Sequence, residues 1–109
     1  MKLPPHPFEV DDWATIESTT HPGETGTATW RTRHLGDVRV RLVEYSAGYV
    51  ADHWCTKGHV LTCLDGELVT ELDDGRSFTL RPGMTYRVGD DSEPHRSHTE
   101  TGAVLLIVD

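Results

Sequence analysis

Residues 48–66 form the stretch GYVADHWCTKGHVLTCLDG. It carries three side chains, His53, Cys55 and His59, that can each donate an electron pair to a transition metal. His53 and Cys55 are two residues apart, so on a β-strand both side chains would point to the same side. A turn then leads to a second predicted strand, residues 60–64, which His59 opens. Folding this hairpin would bring the three donors to one point.

The same stretch resembles the first motif of the cupin superfamily. In that motif a Gly leads to His-x-His, three or four residues precede a Glu, and six more precede a second Gly. The matching positions here are His53, Cys55, His59 and Gly66, so Cys55 replaces the second His and His59 replaces the Glu. Gly48 lies one residue closer to His53 than the usual pattern puts it.

A narrower resemblance involves residues 52–55, which are similar to the motif of small single-domain cupins of the Asp-His-Cys-Trp type, with the last two residues in the opposite order. The resemblance implies an all-β fold, the cupin double-stranded β-helix or jelly-roll barrel, over residues 38–108. It also implies that the motif strands line one open end of the barrel around a metal. It implies no particular reaction, because that group has no settled biochemical activity.

The residues themselves also predict an all-β domain. Residues 38–45 alternate between apolar and polar side chains, which is typical of a half-buried strand, and residues 103–108 are apolar throughout, as in a central strand. Asp74-Gly75 is a signal for a tight hairpin. The other predicted strands are residues 27–33, 67–72, 77–80 and 84–88. Short strands separated by turn residues indicate a sandwich or a barrel, and only the resemblance chooses the barrel.

The first 26 residues differ from the rest, because they hold four of the six prolines and show no sustained period. We expect residues 1–26 to form an irregular N-terminal arm and residues 27–109 to form the barrel. Four apolar residues could anchor this arm on the domain or on a partner subunit: Phe8, Val10, Trp13 and Ile16.

A second cupin motif contains a Pro-Gly turn and, further on, a single His. Pro82-Gly83 fits the turn, and residues 94–96, Pro-His-Arg, resemble the end of that motif, although no Asn follows in the usual place. The resemblance therefore nominates His95 as the fourth ligand. His98 is the alternative, but on one strand it would face the side opposite to His95.

The predicted metal site consists of His53, Cys55, His59 and His95. Imidazole suits Zn, Fe, Cu and Ni, and a thiolate biases the site away from Mg, Ca and Mn, so the expected cofactor is a divalent transition metal. If Cys55 binds, four ligands close the site. If it does not, three histidines leave open positions, which resembles the iron centre of thiol dioxygenase cupins. A third interpretation, with His53 and Cys55 as core residues and no metal, also stays open.

Several other residues are candidates for a role at the site or in the core. Arg39 and Arg41 share a face of their strand, so they either meet an anionic substrate inside the barrel or form an exposed stripe paired with acidic residues. Tyr86 either lines the pocket or packs in the core. Asp52 could orient a histidine ligand by accepting its second N–H. Cys63 is predicted to be a small buried apolar side chain.

Charge and composition exclude several classes of function. The 109 residues carry 18 acidic and 10 basic side chains and a formal net charge of −8, which argues against nucleic-acid and anionic-membrane partners. No apolar run is long enough to span a membrane, and the first residues lack the apolar core of a secretory signal. We therefore expect a cytoplasmic protein whose two cysteines are reduced.

Three functions follow as hypotheses. The first is a metal-dependent enzyme, dioxygenase-like or isomerase-like, that converts a small organic molecule. The second is a non-catalytic module that binds a small-molecule ligand or senses a metal. The third is a metal-free scaffold. In each case we expect a homodimer, because sheet edges need covering and symmetric dimers are the commonest assembly.

Overall fold

The computed structural model describes residues 3–109, and the regular structure of these residues is almost entirely β. One short 3₁₀-helix, Trp13–Thr15, precedes the strands. The nine strands of the described chain are β1 (Ser18–Pro22), β2 (Thr27–Leu35), β3 (Val38–Tyr45), β4 (His59–Gly66), β5 (Leu68–Leu72), β6 (Ser77–Leu80), β7 (Thr85–Val88), β8 (His95–His98) and β9 (Ala103–Val108). None of the helical structure in residues 3–109 is long and apolar enough to cross a membrane.

The strands form two antiparallel sheets that pack face to face. The larger sheet has the order β1-β2-β3-β9-β4-β7, and the smaller has the order β6-β5-β8. Side chains from both sheets meet in one hydrophobic core, in which Val43 and Leu105 of the larger sheet and Leu68 of the smaller are fully buried. The alternation of buried and less buried residues along β3 and β9 follows from the period of two in a strand.

The predicted all-β fold is confirmed, and the strands predicted at residues 38–45, 77–80 and 103–108 have those bounds. The sequence did not predict β8, whose residues His-Arg-Ser-His lack β-branched and apolar side chains. This strand forms because it pairs with β5, where Leu72 lies opposite His95. Pairing with β5 therefore outweighs the weak strand preference of these four residues. This pairing matters for the site because β8 begins with His95.

The predicted hairpin of His53 and Cys55 with residues 60–64 is wrong. β4 pairs instead with β7 and β9, and the chain bends at residues 52 and 53. Cys55 forms an isolated bridge with His95, in which Cys55 N–H donates to the His95 carbonyl over 2.7 Å and His95 N–H donates back over 3.0 Å. The partner of the first motif is thus the second motif, and not the next strand along the chain.

The N-terminal arm is only partly irregular. β1 pairs with β2 and forms an edge of the larger sheet, so the described part of the arm lies outside regular strands only before residue 18 and at residues 23–26. Ile16 is buried, but Phe8 and Val10 are 94% and 83% exposed and do not anchor the arm on the domain. Residues 1 and 2 of the predicted arm lie outside the described residues. The domain boundary between residues 26 and 27 stays a prediction.

Candidate metal centre

Three of the four predicted ligands meet at one point. Cys55, His59 and His95 each offer one ligand atom, and these atoms lie within 4.8 Å of one another. The backbone bridge from Cys55 to the first residue of β8 brings Cys55 and His95 together, and His59 is the first residue of β4. The rings of His59 and His95 meet edge to face with 4.9 Å between their centroids.

The His95 side chain is oriented so that its Nε2 atom can donate a lone pair to a metal. Its side chain is buried, and its Nδ1–H donates a hydrogen bond of 2.9 Å to the Glu93 carbonyl oxygen, which can only accept. This bond sets the tautomer and leaves a lone pair on Nε2. The Nε2 atom is buried and has no hydrogen-bond partner among the described residues. A buried acceptor without a partner is costly, and a metal ion would satisfy it.

His59 is neutral at pH 7. Burial, with a smaller contribution from His95, lowers the pKa of His59 to about 4, so one nitrogen of its ring carries a lone pair. Its Nε2 forms a hydrogen bond of 2.7 Å with the hydroxyl group of Tyr86, a β7 residue that lies opposite Leu61 of β4. Burial raises the pKa of Tyr86, so the phenol stays protonated beside the imidazole. Tyr86 therefore both lines the pocket and orients His59.

The two cysteines have different environments. Cys55 is half-buried, and its Sγ makes only a long contact of 3.8 Å with the Lys57 carbonyl, which leaves the sulfur available as a third donor. Cys63 is fully buried in the core, as predicted, and its Sγ lies over the carbonyls of Asp65 and Gly66. Only Cys55 is thus placed to bind a metal together with the two histidines.

His53 is not brought into this group. Its side chain is 75% exposed, and its Nδ1 lies 2.6 Å from the carboxylate of Asp52. Asp52 therefore pairs with a histidine as expected, but with one outside the cluster. Residues two apart point to the same side only where the backbone is an extended strand. The chain bends at residues 52 and 53, so His53 and Cys55 do not share a side. The alternative His98 is also outside the cluster and lies 3.5 Å from Glu71.

A cavity of about 380 Å³ adjoins the three donors. Arg39 and Arg41 line it; Arg41 is buried and Arg39 is half-buried, so they do not form an exposed stripe. Asp109 binds Arg39 through two hydrogen bonds of 2.9 Å and Arg41 through one of 3.2 Å. The Arg41 guanidinium lies over the ring of Trp30, 4.4 Å from its centroid. The sequence indicated the two arginines but not their partners, which lie on the neighbouring strand β2 and directly after β9.

The donor set fits a first-row transition metal. Two imidazole nitrogens and one thiolate sulfur are ligands that Zn, Fe, Cu and Ni accept, and three protein ligands are the number found in sites that keep an open position. The unpaired Nε2 of His95 and the neutral ring of His59 are in the state that metal binding requires. The residues present therefore form a group that could hold a metal.

Two antiparallel sheets around one core, with a second-motif histidine meeting first-motif donors at a cavity, define a cupin fold. Solved structures support this. Ectoine synthase from P. lautus has a TM-score of 0.75 and 18% identity, covering 93% of this chain and 76% of its own. A sugar phosphate isomerase from a cupin superfamily in Silicibacter pomeroyi has a TM-score of 0.69 and 18% identity, covering 89% and 72%.

A protein from Neisseria meningitidis is also similar, with 26% identity, a TM-score of 0.61 and coverage of 73% of this chain and 79% of its own. No family model and no curated protein matches the sequence. The protein therefore has the cupin fold, and a fold does not by itself define an activity.

Proposed function

We propose that this protein is a metal-binding cupin that holds a divalent transition metal through Cys55, His59 and His95 and binds a small organic molecule in the adjoining cavity. The observation that carries the proposal is the buried Nε2 of His95, which has no partner in the described chain and lies beside the other two donors. When bound, such an ion supplies Lewis-acid chemistry at its open position.

The residues of the chain have separate tasks in this proposal. The Glu93 carbonyl holds the tautomer of His95, and the Tyr86 hydroxyl holds the ring of His59. Such outer contacts orient the ligands before the metal arrives. A non-catalytic ligand-binding or metal-sensing role would use the same residues. The identity of the metal separates the functions, because iron favours oxygen chemistry, whereas zinc or copper favours a thiolate-bound centre.

The test is elemental analysis of the untagged protein, purified without chelator, beside the variant His59→Ala. We expect nearly one metal ion per chain in the wild type and loss of that metal in the variant, because two donors bind more weakly than three. Circular dichroism of both proteins is the control for folding. If neither protein holds metal after supplementation with Zn²⁺ and Fe²⁺, the proposal fails and a metal-free binding protein or scaffold replaces it.

We also propose a homodimer, formed through the outer face of the larger sheet. The strand register places Val40, Val108 and Val60 in one row across that face, and Leu42 and Leu106 in the next. The alternate residues of the same strands fill the core, so these side chains point outward. An apolar row on the solvent side of a sheet is typical of a face that another surface covers.

Light scattering at micromolar concentration checks the dimer. We expect twice the mass of the 12.2 kDa chain, and a shift toward the monomer mass in Val60→Glu, because a carboxylate would be buried in the interface. Phe78→Glu is the matched control, since Phe78 is similarly exposed but lies on the smaller sheet. A wild-type protein that scatters as a monomer contradicts this proposal.

A further inference from the structure

Two buried side-chain atoms of the described residues have no hydrogen-bond partner, and both belong to residues that line the same cavity. One is Nε2 of His95, an acceptor, which the proposed metal would satisfy. The other is Nε of Arg41, a donor, which a metal cannot satisfy because both are positive. The cavity therefore favours a ligand with two different groups. One group would lie near the metal, and the other would accept a hydrogen bond from Arg41.

Asp109 does not satisfy Arg41 fully. Both of its oxygens are engaged by Arg39 at 2.9 Å, and Arg41 obtains one bond of 3.2 Å through Nη2. Lys57 Nζ also lies 4.0 Å from the same carboxylate. Three cations thus share one anion at the cavity, in a protein whose formal net charge is −8. This local excess of positive charge favours an incoming anion.

Arg41 is also fixed in place before any ligand arrives. Its side chain is only 8% exposed and lies against Trp30. Burial, followed by the charge of Arg39, lowers the pKa of Arg41, although a guanidinium stays charged at neutral pH. A buried cation with an unused N–H costs free energy unless an acceptor meets it. The aromatic pair Tyr45 and Tyr49, stacked at 4.1 Å, lines the same cavity and offers an apolar wall.

We propose that the cavity binds a small organic carboxylate, whose anionic group accepts a hydrogen bond from Arg41 Nε and whose apolar part packs against the aromatic wall. This inference rests on the proposed function, since it names the class of molecule that enters the proposed ligand cavity. A single carboxylate is enough to satisfy Arg41, because only one buried N–H of its guanidinium lacks a partner among the described residues.

The test compares benzoate with its neutral isostere benzamide, by calorimetric titration of the purified wild-type protein. We expect saturable benzoate binding and much weaker benzamide binding. Arg41→Lys, which keeps the charge but loses the Nε–H, should weaken benzoate about tenfold to a hundredfold, the usual range for a hydrogen bond to a charged group. Arg33→Lys is the matched control, because Arg33 pairs with Asp11 at the surface and does not line the cavity, and it should leave benzoate affinity unchanged.

A second readout does not depend on the variant folding. In the wild-type protein labelled with ¹⁵N, the Arg41 Nε–H resonance should shift on addition of benzoate and stay in place with benzamide. Equal binding of both probes, or an Nε–H resonance that benzoate does not move, overturns the inference.

Metal content measured on the same samples separates the two proposals. Benzoate binding through Arg41 in a protein that takes up no metal supports the carboxylate site and refutes the metal site. Metal binding with no preference for benzoate refutes the carboxylate site alone.

Discussion

Replacing His95 by alanine is expected to abolish metal binding, whereas replacing His53 should leave it intact. His95 supplies a buried Nε2 that has no partner among the described residues, and the Glu93 carbonyl sets the tautomer of its ring. Loss of an outer partner of a metal ligand costs about 10–100-fold in affinity, so loss of the ligand itself should cost more than about a hundredfold. Competition titration with a zinc-binding dye measures both variants against the wild type.

His53→Ala is a demanding control for this prediction, because His53 matches the cupin motif in sequence and yet lies outside the cluster. The side chain is largely exposed, so its removal should leave both metal affinity and the free energy of unfolding unchanged. Equal loss of affinity in His53→Ala and His95→Ala would show that His53 is a ligand and that the bend at residues 52 and 53 is not kept in the metal-bound protein.

Replacing Gly66 by alanine should destabilise the fold by roughly 2–5 kcal/mol. Gly66 has φ of +75°, a conformation that costs about 1–2 kcal/mol for a residue with a side chain. An added Cβ would also lie 2.1 Å from the carbonyl oxygen of Gly102, and overpacking of this kind costs about 1–3 kcal/mol more. Urea unfolding followed by circular dichroism measures the loss. This steric conflict is a physical reason for glycine at the last position of the cupin motif.

Gly48→Ala separates the two contributions. Gly48 has a similar φ of +78°, but nothing lies within 4 Å of the position of an added Cβ. Only the backbone cost remains, so we expect a loss of about 1 kcal/mol in the free energy of unfolding. If both variants lose the same free energy, the close approach of Gly66 to Gly102 does not contribute to stability.

Local patterns determined most of the fold. The alternation in β3, the apolar run of β9 and the Asp-Gly turn between β5 and β6 each follow from the geometry of a few neighbouring residues, so the sequence predicts them. β8 could not be predicted in the same way, because His-Arg-Ser-His has no strand pattern of its own. Its conformation comes from pairing with β5, which is more than twenty residues earlier in the chain.

The same division applies to the site. The sequence determined which residue types could bind a metal, because His, Cys and the motif spacing are local features. The pairing of His95 with Cys55 and the position of His53 outside the cluster come from the tertiary fold, since they depend on a bend and on a bridge between distant segments. Tyr86 beside His59, and Asp109 between the two arginines, are contacts across the sheet that no local pattern encodes. The sequence alone therefore identifies the candidate metal ligands, whereas long-range strand pairing brings three of them together.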